Sequence, residues 1–137
     1  MNRNDFRKLA LIRLREARTL LRNRHYEGAY YLCGYVIECG LKACIAKKTK
    51  RYDFPDKKVV NDSYTHSIEK LVGIAGLRQY LQEEMKRDKN FENSWARVKD
   101  WSEEGRYQFI QQKAAEDLFS AASNKKNGVL KWIKQHW

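Results

Sequence analysis

Residues 26–48, YEGAYYLCGYVIECGLKACIAKK, decide the fold. Their apolar side chains leave no face for solvent at helical spacing, which in a soluble protein marks the central helix of a bundle. A membrane span is the competing reading. Glu38 and Lys42 interrupt the nearly apolar run over residues 29–46, and each would cost roughly 2.5–3.5 kcal/mol at a bilayer centre, so a buried soluble helix is preferred. Gly28, Gly34 and Gly40 each weaken such a helix by about 0.5–1 kcal/mol relative to Ala, so close packing by neighbours is expected to compensate. Cys33, Cys39 and Cys44 lie in the same stretch. Their odd count and irregular spacing suggest neither a disulfide framework nor a zinc site, and they read as small core residues in a reducing compartment.

Outward from this centre, all 137 residues read as one domain, 42% hydrophobic and 33% charged, with aromatic residues enough for a core. Before it, 100° steps gather Phe6, Leu9, Ala10, Leu14, Ala17, Leu20 and Leu21 on one arc, predicting a helix from just after Asn4 or Asp5 to Arg22. Arg13 falls within that arc and needs a carboxylate partner or a route to solvent. Residues 1–24 contain no run resembling a secretory signal, so a cytoplasmic location is expected. After the centre, residues 49–64 carry turn chemistry at Lys50-Arg51, Pro55-Asp56 and Asn61-Asp62-Ser63 and read as a long surface loop. Thr65 is expected to cap a short helix with Ile68, Leu71 and Val72, ended or bent at Gly73 to Gly76. Further helices are predicted over residues 77–86 and from Asn90 through Val98. A last long helix over residues 109–135 is built on Ala114, Leu118, Ala121, Ala122, Val129, Trp132 and Ile133. The class is all-α, an up-and-down bundle of four or five helices with a long final helix.

Three segments stand in a recognisable order: residues 29–43, AYYLCGYVIECGLKA; residues 65–71, THSIEKL; and residues 95–107, WARVKDWSEEGRY. Together they resemble the HEPN family over about residues 5–135. The resemblance implies a helical bundle that is usually homodimeric. Members are often metal-independent ribonucleases of toxin-antitoxin or defence systems, frequently paired with a small nucleotidyltransferase, and others bind nucleotide or RNA without catalysis. Catalytic members carry Arg, four to six residues, then His near the start of the last major helix. Arg106 falls in the matching region, but Gln111, Gln112 and Lys113 stand where the His would be, and Gln cannot supply its proton transfer. Arg18 and His25 satisfy the spacing at the end of the first helix, where the match reads as coincidence.

The expected function is therefore an RNA- or nucleotide-interacting component of such a module, with no catalytic residue assigned. The alternative is a nonenzymatic homodimeric partner or scaffold for a nucleotidyltransferase. Ligand-binding candidates are Arg106, Tyr107, Glu38, His66 and Lys42. Arg106 at a helix entrance can receive phosphate, and Tyr107 can stack a base. Glu38 precedes Lys42 by one helical turn, a favourable pairing order that would serve either a structural ion pair or a cleft. His66 can orient a polar neighbour, bind phosphate or cap a helix. The net charge of +11 favours phosphates or an acidic partner, and Arg15, Arg18 and Arg22 on the first helix are phosphate-contact candidates. No metal constellation, phosphate loop or nucleophile elbow is present in the sequence, so no metal or cofactor is expected.

Overall fold

The computed structural model describes residues 1–49, 53–54 and 56–137, and among them there are helices and no strand. α1 (Arg3–Arg22) starts earlier than the periodicity suggests, because Asn2 and Asp5 form a capping box. The Asp5 amide donates to Asn2 Oδ1 at 2.9 Å and the Asn2 amide donates to Asp5 Oδ2 at 3.0 Å, so two otherwise orphaned donors are satisfied. The helix ends in a Schellman turn: Arg24 N–H donates to the Leu21 carbonyl and His25 N–H to the Leu20 carbonyl, with Arg24 at a φ of 63°. That turn reverses the chain directly into α2 (Tyr26–Lys48), which lies along α1.

α2 is the axis of the bundle. It is packed by α1, by α4 (Ile68–Ile74), by α7 (Gln112–Ser123), by α8 (Val129–Lys134) and by a 3-10 turn (Glu103–Tyr107). Its most apolar window has the length and composition of a membrane span, yet 67% of that window is buried inside the fold. The glycines explain how neighbours come so close. A Cβ on Gly34 would sit 1.8 Å from the Trp101 ring, and one on Gly40 would sit 3.0 Å from Ile133. Trp101 thus lies flat on α2, at the cost of leaving its buried indole N–H without an acceptor. Val36, Ile37, Leu41, Ile68, Leu71, Phe91, Val129 and Ile133 complete a single hydrophobic cluster. The three cysteines are buried and free.

Several boundaries differ from the sequence reading. The expected surface loop contains α3 (Lys57–Asp62), capped by Asp56 and burying no side chain, while Lys50, Arg51 and Pro55 lie outside the described residues. Ser67, rather than Thr65, caps α4. α4 ends in a second Schellman turn, in which Gly76 takes a φ of 74°. α5 (Arg78–Arg87) buries Leu81 but leaves Tyr80 exposed. α6 (Lys89–Val98) is capped by Asp88 rather than Asn90, through bonds from the Asn90 and Phe91 amides.

The long final helix is not formed, and the chain has eight α-helical segments among the described residues rather than four or five. Asn124 stops α7 by accepting amide hydrogen bonds from Lys126 and Asn127, a local competitor to helix continuation. Extended Gly128 then starts α8, and its missing Cβ would have met the Asn124 backbone. The break also shifts the face: Ala115 is buried where Ala114 was expected, and Ala114 is exposed. The apolar residues of α8 and most of those of α2 are buried in the chain's own core.

Candidate functional site

One polar cluster interrupts the apolar interior, and Glu38 is its centre. This carboxylate is only 3% exposed, the one charged side chain among the buried residues described. Lys42, one turn later on α2, donates to Glu38 Oε1 at 2.8 Å. His66 Nδ1 reaches Glu38 Oε2 at 3.0 Å, and His66 Nε2 lies 3.1 Å from Glu103 Oε2. Each ring nitrogen of His66 thus faces a carboxylate oxygen. Both oxygens of the buried carboxylate therefore have a polar partner, the condition under which such burial is tolerated.

Local structure explains why these groups meet. α4 buries Ile68, Leu71 and Val72 on α2, which sets the preceding His66 opposite Glu38. Trp101, seated on Gly34, fixes the entrance to the 3-10 turn. Ser102 caps that turn by accepting from the Glu104 amide at 3.2 Å, and Glu103 then faces His66. Gly105 is buried beside Tyr30. These packing contacts hold the turn whose exposed side carries Arg106 and Tyr107.

An aromatic wall flanks the cluster. Tyr35 meets His66 edge-on with ring centroids 6.0 Å apart, and meets Trp101 edge-on at 5.2 Å. The Tyr31 and Tyr35 hydroxyls are 3.1 Å apart. Burial first, and then the hydrogen bond with Tyr31, push the Tyr35 phenol up and keep it neutral. Outside this wall is a cleft of about 410 Å³ between α1 and α2, lined by Phe6, Arg13, Tyr31, Tyr35, Glu38 and Lys42 among others. Arg13 donates from Nη1 to both carboxylate oxygens of Glu16, at 2.8 and 3.0 Å, so the partner its position required is present.

Arg106 is exposed, with its guanidinium 4.8 Å from the Tyr107 ring centre. The neighbouring phenols of Tyr107 first and Tyr31 second raise its already high affinity for a proton. The structure brings Glu38, Lys42 and His66 into direct contact and sets Arg106 and Tyr107 on the adjoining turn. It does not bring in the basic arc of α1. Arg18 packs over Phe119 at 5.6 Å, whereas Arg15 and Arg22 face solvent. His25 is exposed at the α1–α2 turn, so its spacing from Arg18 builds no site.

Tyr31, Tyr35 and Glu103 were not singled out by sequence as members of the cluster. A signal for two of them existed, since Tyr31, Tyr35, Glu38 and Lys42 follow one another at helical intervals and form a stripe of polar-tipped side chains on α2. Nothing in the sequence points from Glu103 to His66. Glu38, His66 and Glu103 meet through the imidazole, and among the described residues no His, Cys, Asp or Glu group has the arrangement of a metal site.

An all-helical bundle with a polar centre at its axial helix is the class that fold and site define. The chain belongs to the HEPN domain family, whose model matches residues 4–136. Comparison with curated proteins and with solved structures gave no match.

Proposed function

We propose that this protein is a phosphate-recognising HEPN component that binds RNA or nucleotide without cleaving it. Its setting would be a toxin-antitoxin or defence module of the cytoplasm, as a homodimer that partners a nucleotidyltransferase. The observation that carries the binding reading is the exposed Arg106, set beside Tyr107 on the same 3-10 turn whose Glu103 faces the Glu38–His66 pair. An arginine already buried in an internal ion pair would have favoured a scaffold; this one is available to a ligand.

The surroundings of His66 support the reading of binding without cleavage. A general base needs a free lone pair, and both nitrogens of His66, the histidine of the cluster, face carboxylates. Gln111, Gln112 and Lys113 offer no substitute at the position the motif reserves for His. The test is binding and cleavage of RNA and nucleotides in the presence of a metal chelator. Wild type is expected to bind without cutting, and Arg106→Ala to bind at least about ten-fold more weakly while unfolding at the same denaturant concentration. Metal-independent cutting that disappears in Arg106→Ala would instead make this an active ribonuclease. Severe destabilisation with affinity retained would make Arg106 a structural anchor.

A further inference from the structure

Beyond Arg106 the chain leaves the 3-10 turn and crosses to α7 through residues 108–111, where its most conspicuous side chain is one the sequence reading placed inside a helix. Phe109 is 98% exposed, and Tyr107, two residues earlier, is 78% exposed. Ile110 between Phe109 and α7 is half-buried, so the segment is anchored to the bundle while Phe109 faces water. Gln108 is extended, with φ −114° and ψ 148°. An extended residue separates the Cα atoms of its neighbours by roughly 6.5–7 Å. That is about twice the 3.4 Å spacing of stacked bases, so the backbone spacing suits one base between the two rings when they turn face to face.

The surroundings distinguish among occupants. A protein-docking patch needs contiguous apolar surface, but Gln108 between these rings and Gln111, Gln112 and Lys113 just after them in the chain are all exposed and polar. Isolated aromatic rings separated by polar side chains, next to a guanidinium, instead resemble the arrangement that stacks unpaired bases beside a tracked backbone. The chain's net charge of +11 matches a polyanion.

We infer that Tyr107 and Phe109 form a stacking clamp for an unpaired base of single-stranded RNA, with Arg106 taking the adjacent phosphate. The inference rests on the RNA-binding reading above and adds Phe109, with the requirement for unpaired bases, to it. Both rings are exposed, so their removal leaves the core intact.

The test is anisotropy of labelled oligouridylate and oligoadenylate across a salt series, with a duplex of matching length as control. Phe109→Ala and Tyr107→Ala should each weaken single-strand binding about five- to one-hundred-fold, with unchanged circular dichroism and an unchanged salt slope. Phe109→Trp should retain affinity, whereas Phe109→Leu, apolar but unable to stack, should behave like Phe109→Ala. Arg106→Ala should lower the salt slope by about 0.7. The duplex should bind more weakly than either single strand. Full affinity in Phe109→Leu, equal affinity for the duplex, or loss of self-association in Phe109→Ala with RNA affinity unchanged would each overturn the clamp and leave RNA binding standing. No RNA affinity in wild type would overturn both.

Discussion

Glu38 illustrates how much one residue can organise. Its carboxylate is held by Lys42 and His66, and those partners need it as much as it needs them. Glu38→Gln preserves shape but leaves the Lys42 ammonium and the His66 ring facing an amide. Chemical denaturation should show a loss of roughly 3 kcal/mol, at the low end for a broken buried pair because both partners retain some solvent. Adding Lys42→Met removes the stranded ammonium and should restore part of that loss. If the double variant is as unstable as the sum of the single ones, the pair is not the source of the effect. The sequence made Glu38 and Lys42 legible as a pair because their spacing is local. His66 was legible only as a candidate, since its bond to Glu38 spans 28 residues and depends on where α4 docks.

At the scale of elements, the boundary between α7 and α8 shows a side chain overruling periodicity. A continuous helix would keep most of the apolar residues on one face, yet Asn124 offers its side-chain oxygen to the next amides and the helix stops. Gly128 is then held where a Cβ would lie 2.5 Å from the Asn124 carbonyl oxygen, and backbone cannot move aside as a flexible side chain can. Gly128→Ala should therefore destabilise the protein by about 1–3 kcal/mol, although Ala is the better helix former. A shift of the urea midpoint to higher concentration would show that α7 and α8 prefer to join. In α2, by contrast, the apolar pattern is so complete that its position at the axis was readable directly, and its glycines announced close neighbours without naming them.

The whole molecule stores its thiols in one core, and their chemistry reports its integrity. Burial pushes Cys33 up to about 12, and Cys39 and Cys44 to about 11. In the unfolded chain a thiol releases its proton near pH 8.5. Between about pH 8.5 and 11 the unfolded state thus binds fewer protons than the folded one. The stability contributed by these buried thiols is intact below that window and is lost as pH rises through it. Equilibrium unfolding across that range should show the decline, and triple replacement of the cysteines by Ala should flatten it. At neutral pH the thiols should react with a disulfide reagent only as fast as the protein opens. Immediate modification of all three would contradict the single buried core.

Sequence by itself determined that the chain is helical, that residues 26–48 form its axis, and that Glu38, Lys42, His66, Arg106 and Tyr107 are its chemically distinctive side chains. The helices, the axis and the Glu38–Lys42 pair follow from periodicity, burial preference and the rarity of charge in an apolar stretch, which are properties of neighbours along the chain, whereas His66, Arg106 and Tyr107 were singled out largely by the family resemblance of their segments. Tertiary structure decided that His66 bridges Glu38 to Glu103, that Tyr31 and Tyr35 wall the cleft, that Arg18 belongs to Phe119, and that Phe109 stands in water. Each depends on the docking of separate elements or on a local hydrogen bond that breaks a helix. Apolar pattern specifies that a face must be covered, but many residues can cover it, and only the packed arrangement selects which ones meet.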